Sequence, residues 1–370
     1  MIEKGRISSL QLAIIMYPTI IATAILIVPA VTATSAGRDM WLSPLWGTVT
    51  GFLSIFLAIK LNQYYPDKSI VEYSSDIIGK FFGKLVGLGY LFFLFHISGV
   101  IIREYADFVV GLFIAQTPMP VVIAGMIAVA AFAVRAGVEV IARSSELFIP
   151  IVIFIIFFIL VLLIPEMDFL KIQPLFDGGI WPSIKGSATI QAWYSEFFLI
   201  TFFLPFLSDK KRAVKWNVIC LILIAVSLSF TNLATYLLFG ALTEELSYPL
   251  ISATRYISVA DFFENIESVV MALWVAGAYV KITAFYYTFV IGTAQWLKLP
   301  NYRPLVFPIG IILVISGLWA AQSFTEVKDS IGKVLPFYLP LFGTAIPFAL
   351  LIIAALKKKI IAAHQSSEQA

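Results

Sequence analysis

Ten apolar runs, at residues 10–34, 43–61, 85–114, 121–134, 147–164, 186–207, 216–242, 269–296, 304–323 and 334–356, leave this chain few ways to fold. Most approach the roughly 20 residues that an α-helix needs to cross a hydrocarbon core about 30 Å thick. Inside that core every backbone N–H and C=O must be satisfied within the protein, so spanning segments are helices or closed barrels. Continuous apolar runs of this length specify helices. The run at 121–134 reaches membrane length if it continues past Arg135 toward Ile141, and the run at 85–114 requires a tilt. Composition agrees: 60% hydrophobic residues, 13% charged residues and a mean hydropathy of +0.95 belong to an integral membrane protein. The first run is longer than the apolar region of a secretory signal. Only the connections at 165–185 and 243–268 are long, so one transmembrane domain is expected over 1–370, with halves at 1–165 and 166–356 and a tail at 357–370.

Several function classes drop out. The net charge of +3 is spread over loops without a basic, aromatic-interleaved stripe, which argues against nucleic acid. The lone Cys220 excludes an intrachain disulfide and reads as a small buried hydrophobe. His96 and His364 are the only histidines, and no metal-ligand spacing or phosphate-binding Gly-x-x-x-x-Gly-Lys is present. No metal, cofactor or enzymatic activity is therefore expected. Carboxylate catalysis would need two facing acids, and by position in the runs only Glu196 lies deep, with Glu104 and Asp107 nearer the outer surface.

Orientation follows from Lys and Arg, which concentrate in cytoplasmic connections. A cytoplasmic N-terminus puts 17 of them inside, including residues 210–212 and 357–359, against 6 outside, with Arg103 and Lys281 within runs. Both termini are expected to be cytoplasmic. The outer connection at 243–268 is acidic, with Glu244, Glu245, Asp261, Glu264 and Glu267 against Arg255, and reads as a vestibule or partner surface.

Ten spans divided five plus five place the two halves in opposite orientations and make the first and sixth spans counterparts. Such inverted repeats carry midplane binding sites where paired helices are interrupted. The first run holds Pro18, then Ala22, Thr23 and Ala24, then Pro29; the sixth holds Tyr194, Ser195 and Glu196, then Pro205. A carboxylate at bilayer depth is costly and marks a substrate or ion pathway. Lys281, near the centre of the eighth run, is either a tether to carbonyls of the first span or a cation-substituting, proton-coupled group. Arg103 and Asp107, one helical turn apart, read as a structural ion pair. His96 reads as a hydrogen-bonded side chain more than a proton relay. The aromatic clusters near Phe92, Phe154 and Phe202 read as lipid-facing or packing groups.

Residues 193–198, followed by Pro205 and the Asp209-Lys210-Lys211-Arg212 cluster, resemble the sixth helix of the amino acid, polyamine and organocation permeases. Ala22-Thr23-Ala24 stands where that superfamily usually has Gly-x-Gly. A closer resemblance, to the permease-like B subunit of spore germinant receptors, rests on residues 29–36, 103–107 with Thr117-Pro118, 137–143 leading to Pro150, 202–205, Tyr248-Pro249 with Arg255, 263–268 and 274–281. It implies an all-α, LeuT-like fold with interrupted first and sixth helices and a place in the inner spore membrane. It further implies recognition of a small nutrient, often an amino acid, together with A and C receptor subunits.

The expected pocket is formed by Ala22, Thr23, Ala24, Ile25, Ile97, Tyr194, Ser195, Glu196 and Ala278, and its small side chains fit a small zwitterionic amino acid. Half-helix N-termini would receive the ligand carboxylate. Carbonyls near Ser195 and the Glu196 carboxylate would hold the amino group or stabilise the break. Sensing for partner subunits and free-standing proton-coupled amino acid transport both use this pocket.

Overall fold

Fifteen α-helices form the body of the computed structural model, which describes residues 3–257 and 266–368. They are α1 (Ser9–Ala36), α2 (Ser43–Tyr64), α3 (Ile70–Ile78), α4 (Lys80–Leu112), α5 (Met119–Ala136), α6 (Val138–Leu162), α7 (Trp181–Ser195) and α8 (Ile200–Phe203). After these come α9 (Ala213–Phe239), α10 (Pro249–Thr254), α11 (Ile266–Trp296), α12 (Val306–Trp319), α13 (Phe324–Lys333), α14 (Leu335–Pro340) and α15 (Ile346–Glu368). Among the described residues, seven helical segments are long and apolar enough to cross a membrane. One of them, Ser9–Tyr64, is 56 residues long and turns through a 3₁₀ stretch at Gly37–Leu42, so it supplies two spans, α1 and α2. The interrupted pair α7–α8 and the 14-residue α12 complete ten. The protein is multi-pass.

Two packed groups organise the spans. In one, α1 and α2 lie against α7 and α9; in the other, α4 packs on α11, α12 and α5, and α11 also lies against α1. Span six therefore meets span one at the centre, with span eight closing the third side. Short helices occupy corresponding connections: α3 between the second and third spans, α10 between the seventh and eighth. At α3, Ser69 and Glu72 form a capping box that satisfies two end N–H groups. The ninth run bends where a straight span to residue 323 is expected: α12 stops at Trp319 and the chain turns by 94° into α13. Charged positions explain this, since α13 carries Glu326, Lys328, Asp329 and Lys333 and buries only Val327 and Ile331. Of the acidic connection at 243–268, Asp261 and Glu264 lie outside the described residues.

The N-terminal segment is built into the end of the bundle where the sixth span finishes. Ile7 N–H donates to Phe206 O at 3.1 Å, and Ser208 N–H returns to Ile7 O at 2.9 Å. Glu3, 5% exposed, accepts from the backbone of Lys4, Gly5 and Val138 and from Tyr302 Oη at 2.8 Å. Gly137, at φ +113°, makes room, because a Cβ there would lie 2.9 Å from Glu3 Oε2. Each such bond to a charged group contributes about 1.5–3 kcal/mol. Glu3→Ala is expected to release this strap, read as faster limited proteolysis before α1 with the bundle intact; equal protection would contradict it.

Candidate functional site

Pro205 has no N–H, so the carbonyl of Thr201 loses its helical donor, and span six tightens near its end. The α-helix already stops at Ser195 and continues as 3₁₀ turns at Glu196–Leu199 and Leu204–Phe206, around the four residues of α8. Phe197, Phe198, Phe202 and Phe203 are all buried, which holds this irregular stretch inside protein, where such backbone is tolerated at membrane depth.

At the first residue of the break, Glu196 meets Lys281. Lys281 Nζ donates to Glu196 Oε1 at 3.0 Å, Glu196 Oε2 at 2.9 Å and Thr23 Oγ1 at 2.9 Å. The two charged side chains are 1% and 2% exposed. Thr23 Oγ1 also accepts from Trp193 Nε1 at 2.9 Å, so one hydroxyl of α1 joins α7 and α11. One residue earlier, Ala22 O accepts from the indole N–H of Trp274, and a Cβ on Gly277 would lie 3.6 Å from Ala22 Cβ. The middle of α1 is thus gripped by residues 193 and 196 on one side and by 274, 277 and 281 on the other. Lys281 thus places its Nζ among three oxygens drawn from two spans. Among the described residues no cluster of three His, Cys, Asp or Glu is arranged to hold a metal.

The structure corrects two expectations. The first span is not interrupted at Ala22–Ala24: α1 is one helix of 28 residues through Pro18 and Pro29. Alanine favours helix over glycine by about 1 kcal/mol per residue. No half-helix N-terminus is therefore free in this span to receive a carboxylate. Second, Tyr194 and Ser195 do not face α1. The Tyr194 ring lies against Gly47 of α2, where a Cβ would approach it to 2.9 Å, and Ser195 packs on Gly343 of the tenth span. The cause is helical phase: at about 100° per residue, positions 193 and 196 share a face while 194 and 195 turn away. Glu104 is as fully buried in the protein as Glu196, being 3% exposed. It lies on α4 two turns from Ile97, on the same stripe.

Ala24, Ile25, Ile97 and Ala278 are buried around the grip, with Ala278 on the Trp274–Lys281 face of α11. An apolar cavity of about 50 Å³ adjoins it, lined by Ile25, Val152, Leu250, Ile251, Trp274 and Gly277 among others. Arg103 Nε donates to Asp107 Oδ2 at 3.0 Å while its Nη1 donates to Ala321 O at 2.5 Å, tying α4 to the end of α12. His96 stacks on Phe92, which is 64% exposed on the bundle's outer surface. Cys220 is buried and unpaired, with Sγ 3.3 Å from Ala13 O. Three residues of the site escaped the sequence reading: Trp193, Trp274 and Glu104. The i, i+3 spacing of Trp193 and Glu196, and the i, i+4, i+7 spacing of Trp274, Ala278 and Lys281, are the signals that find two of them.

Residues 6–325 match a spore permease family described as spore germination protein. Spore germination protein KB of Bacillus subtilis (strain 168) is 27% identical over 363 residues, covering 96% of this chain and 96% of that protein. Spore germination protein YndE of the same organism is 25% identical over 362 residues, covering 96% and 98%. Among solved structures, the chain resembles Mhp1, a nucleobase-cation-symport-1 family transporter in a closed conformation with bromovinylhydantoin bound. The TM-score is 0.66 at 12% identity, covering 91% of this chain and 75% of that one. MhsT in complex with L-phenylalanine gives a TM-score of 0.63 at 14% identity, covering 95% and 89%. These likenesses establish a LeuT-type transporter fold.

Proposed function

We propose that this chain, which belongs to the spore germination protein family, is the nutrient-sensing, permease-like subunit of a germinant receptor and binds a small amino acid at the centre of its bundle. The observation that carries this reading is the joint made by Lys281, Glu196 and Thr23, which fastens the break of span six to the middle of span one beside an apolar cavity. The cavity suits a small aliphatic side chain, since its wall is hydrocarbon and its space exceeds that of a single water. A ligand favouring one arrangement of spans one and six shifts the equilibrium between conformations, and partner subunits read that shift. The built-in ammonium of Lys281 removes the need for a sodium ion.

On this reading the membrane is the inner spore membrane, the partners are A and C receptor subunits, and both termini are cytoplasmic, in keeping with the 17-to-6 distribution of Lys and Arg. Residues 1–370 act as one domain of two inverted halves, 1–165 and 166–356, with a tail at 357–370. The transporter fold keeps proton-coupled uptake as the second reading, and concentrative uptake of labelled amino acid by the protein alone in liposomes would favour it.

Thermal unfolding of the purified protein against L-alanine and L-valine tests the binding claim. A ligand at 100 times its Kd adds about 2.7 kcal/mol to apparent stability. Ala22→Phe is expected to abolish the shift, because Ala22 is 3% exposed and abuts Gly277. Ala22→Ser should retain it. An unchanged response in the Phe variant sinks the pocket assignment.

A further inference from the structure

The buried acidic groups at the centre are not all partnered. Glu196 is neutralised by Lys281 and Asp107 by Arg103, whose remaining guanidinium nitrogens bond to Ala321 O and Gln322 O. Glu104 is left over. It is 3% exposed, and its Oε1 has no hydrogen-bond partner among the described residues. Its carboxylate interacts electrostatically with Lys281, Glu196 and Asp107, so it borders the same centre. A buried carboxylate oxygen without a partner is costly, and such a group persists where something else supplies the partner.

The surroundings point to what that is. Phe108 lies one turn beyond Glu104 on the same face of α4. Its ring packs on Trp274 at 4.0 Å between centroids and edge-on to Tyr248 at 5.2 Å. Tyr105 stacks on Trp274 at 5.9 Å. Tyr248, 7% exposed, has a hydroxyl without a partner among the described residues and interacts electrostatically with Glu104. A carboxyl oxygen and a phenol, both unpartnered among the described residues, lie beside aromatic rings and suit an organic cation, since ring faces attract ammonium groups. Trp274 also walls the apolar cavity and bonds to Ala22 O, so this corner adjoins the proposed pocket.

We propose that Glu104, with Trp274, Phe108 and Tyr248, holds the ammonium group of the ligand, while Glu196 serves only to bind Lys281. The site thus takes a compound with a protonated primary amine and a short aliphatic group. This rests on the amino acid reading above and assigns its polar end.

The test uses purified full-length protein and three probes that share one aliphatic skeleton: L-valine, isobutylamine, which lacks the carboxylate, and isovaleric acid, which lacks the amine. Thermal shift should show L-valine and isobutylamine stabilising the parent and isovaleric acid failing to. Glu104→Gln should weaken isobutylamine and L-valine at least tenfold, Glu104→Asp should recover part of that loss, and Tyr248→Phe should weaken both probes less than Glu104→Gln does. Equal affinity of parent and Glu104→Gln for L-valine overturns this assignment while leaving the amino acid pocket standing. Failure of the parent to respond to any of the three, or to L-alanine, removes both. Sodium and potassium chloride, titrated alone, separate the inorganic source of positive charge: Glu104-dependent stabilisation by either salt without binding of isobutylamine overturns the proposal. Should Glu104→Gln fail to fold, the parent's preference decides, and isovaleric acid binding as well as isobutylamine rejects the assignment.

Discussion

Lys281→Met is expected to cost about 3–5 kcal/mol of stability, the usual penalty for leaving one member of a buried ion pair uncompensated. The magnitude follows from the burial of both side chains, at 1% and 2% exposed, and from the two hydrogen bonds that Nζ donates to the Glu196 oxygens. Removing the ammonium takes away both hydrogen bonds that Lys281 gives the Glu196 carboxylate, while the Trp193 indole N–H is engaged with Thr23 Oγ1. Glu196→Leu should cost a similar amount, because the ammonium then keeps only Thr23 Oγ1. The double variant Lys281→Met with Glu196→Leu is expected to recover most of the loss, since replacing both members of a buried pair by apolar groups is often neutral. Lys281→Arg should not rescue: the planar guanidinium carries five donors into a site built for three acceptors. Unfolding midpoints in detergent for the four proteins close the cycle. Additive single effects, without recovery in the double variant, would show that the two groups do not act as a pair.

The spans and the two deep charges were legible because the membrane penalises each departure from apolarity. A Glu in the run at 186–207 and a Lys in the run at 269–296 stand out without any knowledge of neighbours. Which side chain turns toward which neighbour is a matter of helical phase, and phase depends on where each helix begins and how it rotates against its partners. Position in the run alone therefore puts Tyr194 and Ser195 in the pocket and leaves Trp193 out of it. Glu104 was hidden differently: with Arg103 and Asp107 as near neighbours it read as part of an outer charged patch. Only packing shows that Arg103 turns to α12 and takes Asp107 with it, leaving Glu104 inward. The continuity of α1 reflects a balance of small terms, helix propensity at Ala22 and Ala24 against two prolines, that tertiary packing decides. Trp274, which bonds to Ala22 O across a gap of 252 residues in sequence, is part of that packing.

Gly343→Val is expected to disrupt the break of span six from the neighbouring tenth span. The tenth span carries a π-helical turn at Leu341–Ala345, between α14 and α15, and such turns mark places where a helix yields to a neighbour. Here the neighbour is the backbone of Ser195: a Cβ on Gly343 would stand 2.5 Å from Ser195 O, 2.8 Å from Ser195 Cβ and 3.0 Å from Ser195 C. The turn has little freedom to withdraw, because Phe342 O accepts from Tyr90 Oη at 2.7 Å and Thr344 Oγ1 donates to Pro340 O at 2.6 Å. Overpacking costs about 1–3 kcal/mol where side chains can yield, and more is expected where the obstacle is a main-chain carbonyl. Ser195→Gly should therefore fail to rescue Gly343→Val, since it removes the Cβ contact and keeps the carbonyl one. Gly343→Ala should lie between the parent and the Val variant. The consequence reaches Lys281, because shifting Ser195 displaces the adjacent Glu196 and lengthens the ion pair. A lower unfolding midpoint together with a weakened response to L-valine is the expected result. Full rescue by Ser195→Gly would mean that side-chain crowding alone, and not the position of the break, is what Gly343 protects.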